Sequence, residues 1–348
     1  MVYYENYSKG LQFYYITKRS ESMKRGIMLI VCLLVLVCSF SFAAGEQEGV
    51  QTISIATAGT SGALYPMGVA LAEVLNANVD TINASAESSG ASLENMRNLM
   101  QGNVEWGISQ NEVAYLAYAG KGAYEGAQFS DLRSLFGTLI SWVQIFVPAD
   151  SEVTTPADFK GKRIGVGQAG SGGEAAAKKI LGYYGLDYDS IRPEFISDSE
   201  MVNALKDGVI DGFISTHPLK SAALLDLTTT FDVKIIPVLE ENFYKKYPYY
   251  TKMTIPAGTY RGVDYPVTTP TSRVVMYTTK NVSADATYKA MKAIWGNMDA
   301  WVNVHAAVKK YTSLEAACQN LSVPLHVGAA KFYREMGVDI PAEYEPID

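Results

Sequence analysis

A two-lobed α/β fold is what this sequence predicts, and three observations carry the prediction. The chain has 348 residues, too long for one small domain and long enough for two lobes, each with its own core. Strand patterns alternate with helix patterns along it, which points to α/β lobes with mostly parallel sheets. Gly- and Ser-rich turns join several strands to the helices that follow. Composition agrees: 48% apolar and 19% charged residues suit a soluble globular protein and exclude disorder as the dominant state. A formal net charge of -7 gives no support to nucleic-acid or anionic-membrane binding.

The first element is an export signal. Lys24-Arg25 precedes an apolar run, Ile27 to Phe42, that ends at the small residues Ala43-Ala44. Its 16 residues fall short of the roughly 20 that a membrane-spanning helix needs. Met23 stands just before the basic pair, so residues 1–44 read as an upstream extension plus signal peptide, with Met23 as the start. The mature protein is expected in the periplasm. Cys32 and Cys38 lie inside the apolar run, which leaves Cys318 alone, read as a core residue of a helix, with no internal disulfide possible.

Three strand-to-helix units follow. Thr52-Ile-Ser-Ile-Ala-Thr-Ala58 alternates like a strand and meets the turn Gly59-Thr60-Ser61-Gly62. The next helix carries Leu64, Met67, Leu71, Val74 and Leu75 at helical spacing, with Pro66 in its first turn, where a missing N–H is harmless. Lys162 to Gly167 reads as a strand, Gln168 to Gly173 as a tight turn, and Glu174 to Leu181 as a helix of high propensity. Ser197-Asp-Ser-Glu200 is a capping-box pattern opening a third helix that stops at Gly208, before a buried strand at 209–214. Between the first two units, Ser92 to Gly102 is helical and feeds a strand from Val104 to Ile108. Residues 244–270 look like loop, Ser272 to Thr278 like a strand, and the chain from Ser283 onward is helical by pattern.

The turns carry the chemistry. The first N–H groups of a helix lack internal partners and sit at the positive end of its dipole, so such a turn holds a carboxylate or phosphate without an arginine. Thr60, Ser61 and Ser171 add hydroxyls, and glycine lets the backbone approach closely. Ser88-Ser-Gly-Ala-Ser92 opens a further helix in the same way. Helix starts from two lobes converge on one cleft where open α/β sheets bind ligands. Neither turn has a P-loop ending or a dinucleotide fingerprint, and Ala169 to Gly173 lacks the first glycine of a hydrolase elbow. His217, His305 and His326 show no metal spacing, so no metal or cofactor is expected. His217 is placed either in the cleft or on a surface loop. The tyrosines at Tyr247-Pro-Tyr-Tyr250 and Tyr260 suit either a cleft or packing under the long loop. Arg163 and Arg273 read as surface charges at strand ends, although each could pair with a carboxylate.

Taken in order, six stretches resemble the TAXI branch of TRAP transporter solute receptors. They are Ile55 to Gly68, Gly90 to Asn95, Ile108 to Tyr115, Gly161 to Gly172, Asp207 to Gly212, and Tyr247-Pro-Tyr-Tyr250 continuing to Ile255-Pro-Ala-Gly-Thr-Tyr260. The resemblance implies a type II periplasmic-binding-protein fold, two α/β lobes around a hinge with the ligand between them. It also implies a ligand such as glutamate, glutamine or a 2-oxoacid, and a fused TRAP membrane permease as partner. Residues carried over by the motifs are Thr60, Gly62, Tyr65, Ser92, Asn95, Gln110, Gly170, Ser171 and Gly172; Ser61 and Thr216 complete the expected contacts. This chain departs from the family at Gly90-Ala91, where a glycine pair is usual, at Asn111, and at Ser215-Thr-His217, where small residues are usual.

The expected protein is therefore a non-catalytic, monomeric receptor. Lobe one would comprise residues 51–140 and 265–348, and lobe two residues 141–264. The alternative partner is an ABC importer, whose receptors share the fold. An exported enzyme would need a titratable cluster in the cleft, and a sensory module presenting ligand to a membrane kinase stays open.

Overall fold

One strand pattern occurs twice in a single ten-stranded sheet. In the computed structural model, which describes residues 49–60 and 62–347, the order of eight strands is β2-β1-β3-β10-β4-β7-β5-β6, with β8 beside β4 and β9 beside β10. The proposed signal peptide and Ser61 lie outside the described residues. Strands β1 (Gln51–Ala56), β2 (Ile82–Glu87) and β3 (Trp106–Gln110) are mutually parallel around β1. Strands β5 (Arg163–Gly165), β6 (Arg192–Glu194) and β7 (Gly212–His217) repeat the arrangement around β5. Each triplet is followed by a long antiparallel strand, β10 (Val267–Thr279) beside β3 and β4 (Leu132–Pro148) beside β7.

Those two long strands join the halves. β4 pairs with β10 from Leu132 up to Trp142, then with β7 from Trp142 to Phe146. β10 pairs with β9 (Thr251–Ile255) up to Thr271, then with β3 from Val274 to Tyr277. The chain thus passes from one half to the other at Ile140–Trp142 and again at Thr271–Arg273.

Helices α1 (Leu64–Asn78), α2 (Ser92–Gln101) and α3 (Asn111–Ala119) follow β1, β2 and β3. In the other half, α4 (Gly172–Tyr183) follows β5, α5 (Asp198–Lys206) follows β6, and α6 (Ala222–Thr230) follows β7; α7 (Glu241–Lys246) lies between β8 (Val233–Ile235) and β9. The terminal helices α8 (Ala284–Gly296), α9 (Met298–Val302), α10 (Ala306–Tyr311) and α11 (Val327–Glu335) complete the chain.

Three cores hold this together. The largest joins β1–β3 and α1–α3 to the C-terminal helices, with Phe136 in ring contact with Trp295 and Trp301 at 5.9 and 5.8 Å. The second packs Val143, Ile145 and Ile214 against Ala176, Ala177 and Ile180 of α4. The third packs Phe146 and Phe213 under α5 and α6. Each large apolar side chain buried this way stabilises the fold by about 1.5–3 kcal/mol.

Several expectations are corrected. The segment 244–270 is not all loop: Thr251–Ile255 pairs antiparallel with Val267–Thr271 as β9, the reversal passing through Gly258 and Gly262 at positive φ. The strand read at 209–214 runs from Gly212 to His217, because Gly208 at φ 67 turns the chain and leaves Val209 54% exposed. Cys318 is buried, yet it lies in turns, not in a helix, near Asn320 and Ser322 at positive φ. Arg273 is no surface charge: it is buried in β10, donating Nη2 to the carbonyls of Tyr311 and Ala316, both at 3.2 Å. Arg163 is half-buried at its strand start and holds Asp211 with two contacts, Nη2–Oδ1 at 2.6 Å and Nε–Oδ2 at 3.2 Å. The capping box at Ser197 and Glu200 forms in both directions.

Candidate ligand crevice

Parallel strands put their carboxyl ends on one edge, so the turns after β1, β2 and β3 sit together, as do those after β5, β6 and β7. The two edges meet at Gln110. Its Nε2 donates to Ser141 Oγ at 3.3 Å and to Thr216 Oγ1 at 3.2 Å, tying the end of β3 to β4 and β7. Gly172, at the start of α4, comes so close that a β-carbon built on it would lie 2.6 Å from Gln110 Oε1. Among the described residues that buried oxygen has no hydrogen-bond partner.

Of the expected contacts, Gln110, Gly172 and Thr216 are brought together directly, and Ser92 joins them by accepting the Gln110 amide N–H at 3.1 Å. Gly170 and Ser171 form the turn before α4. Ser171 Oγ accepts the Glu174 N–H at 3.1 Å as the helix cap, so only its hydroxyl proton is free for a ligand. The N–H groups of Gly172 and Gly173 have no acceptor among the described residues. Thr60 and Gly62 are exposed in the turn before α1, where Gly62 N–H reaches the Gly59 carbonyl at 3.4 Å, and Tyr65 is half-buried in the first turn of that helix.

Asn95 is placed differently. It is fully buried, its Nδ2 donates to the carbonyls of Thr57 and Ile108 at 2.6 and 2.7 Å, and its Oδ1 accepts from Ser89 Oγ at 2.6 Å. With both amide atoms engaged, it braces the β1 and β2 turns from below and has no group left for a ligand. Beside it, Ala91 takes φ 71, ψ -140, a conformation natural to glycine.

Two helix starts already hold carboxylates from their own chain. Glu94 Oε2 accepts the Gly90 N–H at 2.8 Å, and Glu174 Oε2 accepts the Gly170 N–H at 2.7 Å while its Oε1 pairs with Lys178 at 2.8 Å. At the start of α4 the amides without an acceptor among the described residues are those of Gly172 and Gly173, beside Gln110.

Sequence reasoning missed two clusters. Asp198, the first residue of α5, accepts from Ser215 Oγ at 2.8 Å and pairs with His217 Nε2 at 2.5 Å. Burial works against the protonated imidazole, but the charge of Asp198 and the hydrogen bond to it prevail and raise the His217 pKa. His305, in the other half, is pushed down by burial and by the charge of His217. The second cluster centres on Glu112 of α3, fully buried, whose Oε1 accepts from Tyr250 OH at 3.3 Å. Desolvation raises its pKa against the nearby charge of Lys179. The capping box named Asp198 and the departure at Ser215-Thr-His217 named His217, but nothing local pairs residues on two separate elements. Among the described residues no group of three His, Cys, Asp or Glu could hold a metal ion. Tyr250 and Tyr260 are core residues, Tyr260 OH donating to Gln144 Oε1 at 2.5 Å.

Comparison with known proteins follows the same lines. The NMT1-like family pattern matches residues 55–337. PhnD1 from Prochlorococcus marinus, solved with methylphosphonate, is similar over 75% of this chain and 92% of its own, at 10% identity and a TM-score of 0.51. The periplasmic aliphatic sulphonate binding protein SsuA from Escherichia coli matches over 85% and 94% at 15% identity and a TM-score of 0.44. A putative L-cystine ABC transporter protein from Listeria monocytogenes matches over 73% and 94% at 17% identity and a TM-score of 0.45. At 10% identity the likeness to PhnD1 is one of fold, the two-lobed α/β architecture. No helix among the described residues is long and apolar enough to cross a membrane.

Proposed function

The chain belongs to the NMT1-like family, and from that premise we propose that it is an extracytoplasmic solute-binding receptor that delivers a small anionic ligand to a membrane importer. The observation that carries the reading is the meeting of two strand edges at Gln110, with Thr216 and the open amides of Gly172 and Gly173 beside it. A carboxylate of glutamate, glutamine or a 2-oxoacid would lie on those amides and on the Ser171 hydroxyl. Thr60, Ser61, Gly62 and Tyr65 would close over it from the first half. No catalytic step is assigned.

Lobe one is proposed as residues 51–140 and the C-terminal part, and lobe two as the stretch between. Val267 packs in the same core as Phe146 and Phe213, which favours a return crossing near Ser272 over one at 265. Rotation about the two crossings would open and close the crevice, with ligand selecting the closed population.

For the partner, the six motifs support a fused TRAP permease. The comparisons lend that class no support and include a protein named as an ABC transporter component, so an ABC importer is the reading put first. A neighbouring gene for one large fused permease, against separate permease and ATPase genes, separates the two.

The test is a thermal-shift screen of the purified protein against amino acids, 2-oxoacids, dicarboxylates, alkylsulfonates and alkylphosphonates. A ligand at about 100 times its Kd adds roughly 2.7 kcal/mol. A rise with a carboxylate supports the reading, a rise only with sulfonates or phosphonates changes the ligand class, and no rise with any of them overturns it.

A further inference from the structure

We propose that His217 is a specificity-determining residue of this crevice, a second anion contact that makes the receptor prefer dicarboxylates to monocarboxylates. The proposal rests on the receptor reading above. His217 stands at the carboxyl end of β7, next in the chain to Thr216, which bonds Gln110 at the meeting of the two strand edges, and its imidazole lies on the strand face it shares with Ser215. It is held from behind. Asp198 Oδ2 takes its Nε2 at 2.5 Å, Ser215 Oγ fixes the other carboxylate oxygen at 2.8 Å, and Gln144 Nε2 donates to the His217 carbonyl at 3.2 Å. Gln144 is itself anchored by Tyr260 OH at 2.5 Å.

What this leaves is one free face. The His217 side chain is 33% exposed, and its Nδ1 has no acceptor among the described residues. With Nε2 committed to a carboxylate, Nδ1–H becomes a charge-assisted donor, the kind that holds a carboxylate most firmly. The charged group acting on it is Asp198 from α5, and His217 acts in turn on His305, at the start of α10 in the other half. His305 is disfavoured as a cation and its Nδ1 already accepts the Ala307 N–H at 3.1 Å, so it offers a neutral ring edge and not a competing charge. A ligand's second carboxylate has no equal place at the α2 or α4 starts, where Glu94 and Glu174 hold the Gly90 and Gly170 amides.

The experiment is calorimetric titration of the purified protein with matched probes: glutarate against butyrate, 2-oxoglutarate against 2-oxobutyrate, and glutamate against 2-aminobutyrate. The expected result is a dicarboxylate bound at least 10-fold more tightly than its partner, with His217→Asn removing most of that ratio while changing the monocarboxylate little. Because the Asp198 contact raises the His217 pKa, dicarboxylate affinity should persist below that pKa and fall as pH rises through it. In Asp198→Asn, with circular dichroism confirming the fold, the fall should move to lower pH, a shift that a purely structural role for His217 would not produce. A dicarboxylate-to-monocarboxylate ratio unchanged in His217→Asn, or a monocarboxylate bound as tightly as its partner, overturns this proposal and leaves the receptor reading standing. Binding of no carboxylate at all overturns this proposal, and the sulfonate and phosphonate arms of the thermal screen then decide whether the receptor reading survives.

Discussion

Gly172 lies against the carboxamide of Gln110 so closely that no side chain fits between them: a β-carbon at 172 would stand 2.6 Å from Oε1 and 2.7 Å from Cδ. The start of α4 and the end of β3 come from different halves of the sheet, so this contact joins the two halves. Gly172→Ala would force the Gln110 amide off Ser141 and Thr216. Each such hydrogen bond contributes about 0.5–1.5 kcal/mol, so losing both should lower ligand affinity roughly 5- to 150-fold. Calorimetry on the variant checks this, and unchanged affinity would mean that the halves do not close here.

Asn95 predicts a stability effect in place of a binding effect. Removing its amide by Asn95→Ala takes the side-chain donor from the buried carbonyl of Ile108 and leaves that of Thr57 with Ser89 Oγ, at 3.1 Å. The expected loss is about 2 kcal/mol in urea denaturation, since one abandoned buried group costs about 1–3 kcal/mol. A loss below about 1 kcal/mol would show that water replaces the amide and that the β1 and β2 turns are open.

Ala91 occupies a conformation that glycine adopts without strain. Ala91→Gly should raise stability by about 1 kcal/mol, the relief of roughly 1–3 kcal/mol of backbone strain less the added freedom of glycine in the unfolded chain. A lower thermal midpoint in the variant would contradict the strained backbone at 91.

Glu112 predicts a pH dependence. Its folded pKa is raised above 4.5 by desolvation, with Lys179, Tyr249, Tyr250 and Tyr277 as the titratable groups that sense it or act on it. The folded state then binds a proton that the unfolded state has lost, so this group's contribution favours folding below about 4.5 and is lost as pH rises through the folded pKa. Glu112→Gln should flatten that decline, seen as a smaller difference between denaturation midpoints at pH 5 and pH 8. Parallel curves for variant and parent would place the carboxylate in contact with water.

How much was legible before folding follows from the range of each signal. The helices at 64–78, 92–101 and 198–206 and the box at Ser197–Glu200 depend on residues three or four apart, and periodicity finds such contacts. β4 went unread although it is the longest strand, because Leu132 to Pro148 is buried along nearly its whole length and shows no alternation. β9 was hidden by the prolines and glycines around it.

The site divides the same way. The motifs of the resemblance named Gln110 and Gly172 as expected contacts, and Thr216 was named beside them. Local sequence could not tell that Ser171 caps its own helix, that Asn95 faces carbonyls, or that Asp198 meets His217.

By itself the sequence determined the alternation of strands and helices and the turns that open the helices. Only the tertiary structure decided which strand edges meet, which carboxylates occupy the helix starts, and which polar groups remain free. The physical reason is that those outcomes depend on sheet order and on the two long strands crossing between the halves. They pair residues 31 to 209 positions apart, as with Gln110 and Ser141 or Asn111 and Asn320, a separation at which no periodicity carries information.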